Sequence, residues 1–207
     1  MTQTKGKFFV LEGIDGSGGE TQRKRLADRF RENSIPAEVL KYPDYSGPIG
    51  NLIHEYLYNK YDFSKEVQVL LYTADFLKDK QKIEQWKEEG KVIIADRYFL
   101  STLAFQCLHD VPIENALEIA KLLKLPVPDL ILLLDTPVKT SMERKNKEKS
   151  GNLDRHESNE AFLGEVADLY RHLAENNVFA PWKVIDGEQP IEQVTDSIWQ
   201  AISPQLD

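Results

Sequence analysis

The chain has 207 residues, of which 41% are hydrophobic, so it is long enough for one sizeable core and short for two. Acidic residues outnumber basic ones by 34 to 26, and the formal net charge of −8 disfavours a nucleic-acid binder that neutralises phosphates. A single cysteine, Cys107, excludes an intrachain disulfide and fits a reduced intracellular setting. Because there is neither an apolar signal segment nor an apolar run of roughly 20 residues, we expect a cytoplasmic protein without a membrane partner.

Strand-like apolar runs alternate with helical patterns along the chain. The spacing of apolar residues predicts, in order, strand 8–13, helix 20–33, strand 37–43, helices 47–60 and 64–89, and strand 91–98. It then predicts helices 99–108 and 113–124, strand 128–137, helices 138–147 and 158–176, strand 182–187 and helix 190–202. This alternation predicts an α/β fold with a five-stranded parallel sheet flanked by helices on both faces, as a single domain over residues 1–207.

The turn after the first predicted strand is rich in glycine. Its spacing from Gly13 to Gly18 is that of a phosphate-binding loop, in which backbone N–H groups and a helix N-terminus surround an anion. However, Gly19 and Glu20 stand where a lysine and a serine or threonine are expected. Taken alone, the loop is also compatible with a tight strand-to-helix turn that binds nothing.

Five motifs in the chain resemble those of the thymidylate kinase family, in the family's order. They are FVLEGIDGSG with TQ two residues later, DRYFLSTLAFQ (96–106), PDLILLLD (128–135), LDRHESNEAFLGEVADLYRHLA (153–174) and VIDGEQPIEQV (184–194). They span almost the whole chain, which is therefore identified as a member of the family. The resemblance implies the three-layer P-loop nucleoside monophosphate kinase fold, a homodimer, and transfer of a phosphate from ATP to dTMP with Mg²⁺ between the phosphates.

The resemblance also implies which residues bind the donor ATP and the metal. Asp96 would hold Mg²⁺ or its water, and Arg97 would bind the acceptor phosphate as a bidentate fork. For an Asp-Arg pair alone, a surface ion pair is the alternative, and Arg144 could be a solvated helix-end charge. The implied ATP-binding residues are Gly13, Asp15, Gly16, Ser17, Gly18, Gly19, Glu20, Thr21 and Arg144.

A second set of residues is implied for the acceptor dTMP. Asp15 would bind the 3′-hydroxyl of the sugar, although an Asp in a turn can also serve the turn alone. Tyr72 would stack on the thymine, although an aromatic at helical spacing can also be a core residue. The implied dTMP-binding residues are Asp15, Tyr42, Pro43, Tyr72, Phe76, Arg97, Ser101, Phe105, Gln106 and Arg155.

Three positions depart from the family pattern. Gly19 lacks the ammonium that bridges donor phosphates, and Glu20 is either an inhibitory charge or a direct Mg²⁺ ligand. Phe76 replaces an arginine that contacts the thymine edge, which puts base specificity in doubt. Lys24 lies roughly 7 Å along the helix axis from Gly19 and about 140° around it, so we do not expect it to substitute for the lysine.

The charged segment 143–157 is the predicted mobile lid and the expected source of the missing positive charge. We expect a lysine from this lid to reach the donor phosphates while Glu20 and Asp96 hold Mg²⁺. A solvated charged loop is the alternative for each lysine. The candidate catalytic residues are therefore Asp15, Asp96, Arg97, Lys145, Lys147 and Lys149.

Three functions are compatible with these residues. The leading interpretation is an active dTMP kinase with an altered donor site. Phe76 favours a nucleoside monophosphate kinase with another or a relaxed base preference. Gly19 and Glu20 favour a nucleotide-binding pseudokinase with weak or no catalysis.

Overall fold

A parallel five-stranded sheet forms the centre of the molecule. The computed structural model describes residues 5–149, 154–157 and 159–206, without the side chain of Lys149, so part of the predicted lid lies outside the described residues. The strand order is β2-β3-β1-β4-β5. The strands are β1 (Lys7–Glu12), β2 (Ala37–Lys41), β3 (Val92–Asp96), β4 (Leu130–Asp135) and β5 (Trp182–Asp186). The predicted five-stranded parallel sheet is confirmed.

Helices connect the strands and cover both faces of the sheet. Within the described residues, each helix is too short or too polar to cross a lipid bilayer. A short 3₁₀ turn, Ser203–Gln205, follows the last helix. The helices are α1 (Gly19–Glu32), α2 (Pro48–Leu57), α3 (Lys65–Leu77), α4 (Lys80–Glu88), α5 (Phe99–Gln106), α6 (Ile113–Leu122), α7 (Val138–Lys149), α8 (Glu160–Glu175) and α9 (Ile191–Ile202).

The prediction of one long helix over 64–89 is wrong, because α3 and α4 are separate helices. The chain leaves the helical conformation at Asp79, where φ is −96° and ψ is 2°. The Asp79 carboxylate accepts hydrogen bonds from Tyr42 Oη at 3.0 Å and Lys78 Nζ at 2.9 Å. Aspartate favours such breaks because its short side chain offers polar partners outside the helix.

Two hydrophobic clusters lie on opposite faces of the sheet because successive strand residues point to opposite sides. Phe8 and Val10 of β1 belong to the cluster beneath α3, α5 and α8. Phe9 and Leu11 belong to the cluster beneath α1 and α9. All four side chains are essentially fully buried. The central strands therefore carry continuous apolar runs, as expected for a parallel sheet covered on both faces.

The register of the strands places polar residues together at the carboxyl edge of the sheet. Asp96 at the end of β3 lies beside Leu11 of β1 on one side and Lys41 of β2 on the other. Glu12 ends β1, and the glycine-rich loop follows directly. In open α/β sheets this edge is where ligands bind.

Candidate nucleotide-binding site

The glycine-rich loop between β1 and α1 forms the floor of a large cavity at this edge. At Gly16, where φ is +85°, a Cβ would overlap the carbonyl oxygen of Ser141 in α7, so a side chain is excluded. Ser141 Oγ also donates a hydrogen bond to the carbonyl oxygen of Asp15, which holds the loop against α7. All the predicted ATP-binding residues line this donor cavity: Gly13, Asp15, Gly16, Ser17, Gly18, Gly19, Glu20, Thr21 and Arg144.

The side chain of Asp96 lies directly beside Gly19. A Cβ on residue 19 would overlap Asp96 Oδ1, so the aspartate carboxylate occupies the space that a side chain at this position would need. Asp96 is buried, and this burial raises its pKa, whereas the charges of Arg97, Lys41 and Arg23 lower it. The Nε atom of Arg23 lies 3.8 Å from Asp96 Oδ2. Asp96 thus faces the donor cavity within a group of cations.

Glu20 lies between two lysines rather than alone against the loop. Its Oε1 accepts a hydrogen bond from Lys24 Nζ at 2.7 Å, and its Oε2 accepts one from Lys41 Nζ at 2.6 Å. These hydrogen bonds, first from Lys24 and then from Lys41, lower the pKa of Glu20 to about 2. Lys24 and Lys41 both line the donor cavity. Helical geometry led us to set Lys24 aside, and sequence reasoning missed Lys41 because it lies on another element.

Glu20 and Asp96 are two of the carboxylates that line the donor cavity, and both are oxygen ligands of the kind that Mg²⁺ takes. No cluster of three or more metal-ligating side chains is present in the described part of the chain. Mg²⁺ in phosphoryl-transfer sites is commonly held by one or two carboxylates together with substrate phosphates. A pair of carboxylates facing a phosphate-sized cavity therefore fits this metal.

Arg97 lies at the boundary between the donor cavity and a second, adjoining cavity. Its backbone is left-handed, with φ at +68°. Its guanidinium donates from Nη1 to the carbonyl oxygen of Gly13 at 2.9 Å and from Nη2 to Asp15 Oδ1 at 2.8 Å. Burial alone would lower the pKa of Arg97, but Asp15 and the neighbouring anionic groups raise it. The side chains of Arg97 and Asp15 are 19% and 24% exposed, so this ion pair is partly buried.

A buried carboxylate that the sequence analysis missed supports Arg97. Glu12 Oε2 accepts hydrogen bonds from Ser101 Oγ at 2.7 Å and Tyr170 Oη at 2.8 Å, and Oε1 accepts one from the Tyr98 N–H at 2.9 Å. Ser101 Oγ lies 3.3 Å from Arg97 Nη1. Burial raises the pKa of Glu12 to about 7. The sequence did carry one sign of this residue, because Glu12 is an acidic residue at the end of an otherwise apolar strand.

The second cavity, which we call the acceptor pocket, contains nearly all the predicted dTMP-binding residues. Those that line it are Asp15, Tyr42, Pro43, Tyr72, Phe76, Arg97, Ser101, Phe105 and Gln106. Arg155 is the exception. Its guanidinium lies 4.0 Å from the ring centre of Tyr56 and donates to Asp62 Oδ1 at 3.0 Å, outside the residues that line the pocket.

The wall of the acceptor pocket is aromatic. Phe76 is 1% exposed and packs edge-on against Tyr42, with ring centres 5.0 Å apart. Tyr72 is also buried and lines the pocket, so its core and binding interpretations are compatible. Phe76 brings no hydrogen-bond donor to this wall, which leaves polar recognition of a ligand to other residues.

His156 is a second pocket residue that the sequence analysis missed. Its ring stacks on Phe162, with ring centres 5.0 Å apart and an interplanar angle of 20°. Burial lowers the pKa of His156 to about 4, so the imidazole is uncharged at neutral pH. Among the described residues, neither His156 Nε2 nor Gln106 Oε1 has a hydrogen-bond partner. Buried polar atoms are normally paired, and these two unpaired atoms belong to residues that line the pocket.

The predicted lid cations are placed differently from one another. Arg144 Nη2 donates to the carbonyl oxygen of Gly187 at 3.0 Å, and Lys145 Nζ contacts Glu148 at 3.0 Å. Arg144 and Lys145 line the donor cavity, whereas Lys147 is exposed and is not among the residues lining it. The side chain of Lys149 lies outside the described residues.

Comparison with known proteins gives a consistent family assignment. Residues 11–198 match the family model described as Thymidylate kinase. A probable thymidylate kinase of Pyrococcus abyssi is 34% identical over 208 residues, covering 98% of each chain. The thymidylate kinase of Arabidopsis thaliana is 30% identical over 204 residues, covering 98% of this chain and 73% of the plant protein.

A solved structure gives the same result. The thymidylate kinase of Candida albicans superposes with a TM-score of 0.77 at 28% identity, covering 97% of this chain and 92% of the fungal chain. The predicted nucleoside monophosphate kinase fold and the resemblance in the motifs are thereby confirmed. The chain belongs to the thymidylate kinase family.

Proposed function

We propose that the protein is a dTMP kinase that transfers the γ-phosphate of ATP to dTMP, producing ADP and dTDP. The main observation behind this proposal is that the donor cavity and the acceptor pocket adjoin each other. Asp15 and Arg97 line both of them. Phosphoryl transfer requires two phosphates to be aligned and their charge to be neutralised, and a shared wall with a buried guanidinium suits that task.

On the donor side, the loop and the N-terminus of α1 bind the phosphates of ATP. Backbone N–H groups and the positive end of a helix favour an anion at this place. The loop lacks the usual lysine, so the side chains around the donor cavity supply the positive charge. Glu20 and Asp96 would hold Mg²⁺, which when bound neutralises charge between the phosphates.

On the acceptor side, Arg97 binds the phosphate of dTMP. Its planar guanidinium matches two phosphate oxygens, and its contacts with Gly13 and Asp15 orient it beside the donor loop. Asp15 accepts a hydrogen bond from the 3′-hydroxyl of the sugar. Tyr72 and Phe105 hold the base within the aromatic wall, and Gln106 contacts its edge.

The lid contributes cations to the donor side. We retain Lys145, Lys147 and Lys149 as candidate catalytic residues, and Arg144 as a residue that contacts the donor nucleotide. The placement of Arg144 and Lys145 in the donor cavity supports their assignments. Alanine substitution of each lysine, singly and together, tests this set, and an unchanged turnover number throughout would eliminate the lid as a source of charge.

The assembly is proposed to be a single-domain cytoplasmic homodimer with a mobile lid over 143–157. Val67 and Leu70 on α3 are 44% and 55% exposed, respectively. Burying such side chains against a second copy would remove apolar surface from water. This outward face of α3 supports α3 as the dimer contact.

A kinase with relaxed base preference is the second candidate function. It is favoured by the absence of a donor at Phe76 and by the chemistry of His156 and Gln106. A neutral imidazole donates or accepts according to its tautomer, and a carboxamide does so according to its orientation. Both groups could therefore pair with either a thymine or a cytosine edge.

A panel of acceptors tests these proposals and the binding-module alternative together. The protein is incubated with ATP, Mg²⁺ and dTMP, dUMP, dCMP or dGMP, and the diphosphate products are separated by chromatography. We expect dTDP as the main product. Comparable products from several bases would support relaxed specificity, whereas binding of ATP without any product would support a pseudokinase.

A further inference from the structure

Three charged residues form a cluster at the donor cavity, and the proposed function gives a role to the carboxylate of this cluster but none to its two lysines. This Glu20 cluster consists of Glu20 at the start of α1, Lys24 one turn later, and Lys41 at the end of β2. The two carboxylate oxygens of Glu20 accept one lysine each, at 2.7 Å and 2.6 Å. Since the carboxylate neutralises one ammonium, the cluster carries one surplus positive charge.

Lys41 differs from Lys24 because it lies beside Asp96. The two residues are neighbours in the register of β2 and β3, at the edge where the phosphate loop begins. Burial raises the pKa of Asp96, and the charges of Arg97 and then Lys41 offset part of this rise. Lys41 therefore brings an ammonium to the side of the cavity where Asp96 fills the space next to Gly19.

Lys24 is the weaker candidate for the same task. Its side chain is 63% exposed, compared with 45% for Lys41. It lies on α1 one helical turn after Glu20. Lys24 pairs with the same carboxylate, so it provides a matched comparison for Lys41.

We propose that Lys41 supplies the phosphate-binding ammonium that Gly19 cannot carry, and that Glu20 holds this ammonium ready at the loop. With Mg²⁺-ATP bound, Glu20 would hold the metal ion in place of the ammonium, and Lys41 would turn to the terminal phosphates of ATP. This inference rests on the proposed kinase function. It accounts for the two adjacent departures together, because a carboxylate at position 20 positions a cation from a neighbouring strand.

The exchange is physically accessible because the ion pair is half exposed. The side chains of Lys41 and Glu20 are 45% and 46% exposed. Ion pairs at that exposure contribute little to stability, so little is lost when the partners separate. A polyphosphate carrying several charges is a stronger partner for the ammonium than one carboxylate.

Steady-state kinetics of three alanine variants test the proposal. Lys41→Ala should lower the turnover number at saturating ATP, Mg²⁺ and dTMP by at least about tenfold, because an ammonium acting on the transition state is lost. The KM for dTMP should change by less than about threefold, since the acceptor pocket is untouched. Lys24→Ala should lower turnover by less than about threefold, and Lys121→Ala, an exposed lysine of α6, should leave it unchanged.

Calorimetric titration with Mg²⁺-ATP, without acceptor, provides a readout that does not depend on turnover. Lys41→Ala should weaken this binding by about tenfold, while the affinity for AMP, which lacks the terminal phosphates, should stay the same. If the wild-type protein forms no product with any acceptor, the proposed kinase function fails, and this titration decides the role of Lys41 by itself.

Several results would overturn the assignment. Unchanged turnover together with unchanged Mg²⁺-ATP affinity in Lys41→Ala would eliminate Lys41. Equal losses in Lys24→Ala would assign the charge to the cluster as a whole, and a loss confined to Lys145→Ala would assign it to the lid. Glu20→Gln should raise the Mg²⁺ concentration needed for half-maximal activity, and an unchanged requirement would contradict the exchange.

Discussion

At the scale of single residues, the site depends on side chains whose surroundings come from distant parts of the sequence. Arg97 is recognisable in the Asp-Arg motif, but its left-handed backbone and its contacts with Gly13 and Asp15 are not. In the sequence, Gly19 indicates only that the lysine of the loop is missing. In the structure, the side chain of Asp96 occupies the space beside Gly19. A motif indicates which residue types are present, while their partners depend on the fold.

Arg97→Lys tests the bidentate role of this guanidinium. Lysine keeps the charge but cannot donate two parallel hydrogen bonds, so we expect kcat/KM for dTMP to fall by roughly 100-fold. Arg29→Lys, at a surface ion pair with Asp196, is the matched control and should change kcat/KM by less than about twofold. A loss of less than about threefold in Arg97→Lys would contradict the bidentate assignment.

His156→Phe tests whether the unpaired imidazole nitrogen contacts the base. Phenylalanine preserves the stacking on Phe162 and removes Nε2, so kcat/KM for dTMP should fall by about tenfold. Stability should be unchanged or higher, because a buried unpaired polar atom is removed. Kinetics with dTMP and dCMP, together with urea unfolding, provide the measurement. Lower stability with unchanged kinetics would assign a purely structural role to His156.

At the scale of secondary-structure elements, apolar periodicity predicts the strands well and the helix boundaries less well. The strand β4, a continuous apolar run, is buried on both faces as expected. The break between α3 and α4 was missed, and at this break Asp79 accepts a hydrogen bond from Tyr42, which lies 37 residues earlier. Periodicity describes which face of an element is buried, and it does not detect a polar contact made by a single side chain.

The Glu12 network joins β1 to α5 and α8 and gives stability a pH dependence. The pKa of Glu12 rises from an ordinary 4.5 to about 7 on folding, so the folded protein binds more protons in that interval. The resulting stabilisation is complete below about pH 4.5 and is lost as the pH rises through about 7. We expect the free energy of unfolding to decrease over this interval because of Glu12.

Glu12→Gln should flatten this dependence, because glutamine stays neutral in both states. Urea unfolding at about pH 5 and about pH 8 measures the slope in the wild type and the variant. Glu114→Gln, an exposed residue of α6, is the control and should keep the wild-type slope. An identical slope in Glu12→Gln would show that Glu12 titrates in the folded state as it does in the unfolded chain.

At the scale of the whole molecule, the family resemblance and the alternation of elements together predicted the fold, the order of the motifs and most of the residues lining the two cavities. The missed residues share one property. Glu12, Lys41 and His156 act through partners on other elements, such as Ser101, Asp96 and Phe162. Such pairs are set by strand register and helix packing, which a pattern along one segment does not contain.

The oligomeric state is a property of the whole molecule, and the proposed dimer contact through α3 can be tested. If α3 forms the dimer contact, Leu70→Glu should convert the protein to a monomer, because a carboxylate would be buried in an apolar interface. Leu122→Glu is the matched control, since Leu122 is 80% exposed on α6 and should leave the dimer intact. Light scattering after size-exclusion chromatography measures the mass. A dimer in both variants, or a monomeric wild type, would contradict this contact.

The claim that the donor site works without a lysine in its loop is tested most directly by following one labelled phosphate. The wild-type protein is mixed with ATP labelled at the γ-phosphate, Mg²⁺ and dTMP, and the label is traced by chromatography. We predict that the label moves to dTDP in the wild type and that this transfer is nearly abolished in Arg97→Ala. Label that stays on ATP, or transfer that is equal in Arg97→Ala, would contradict it.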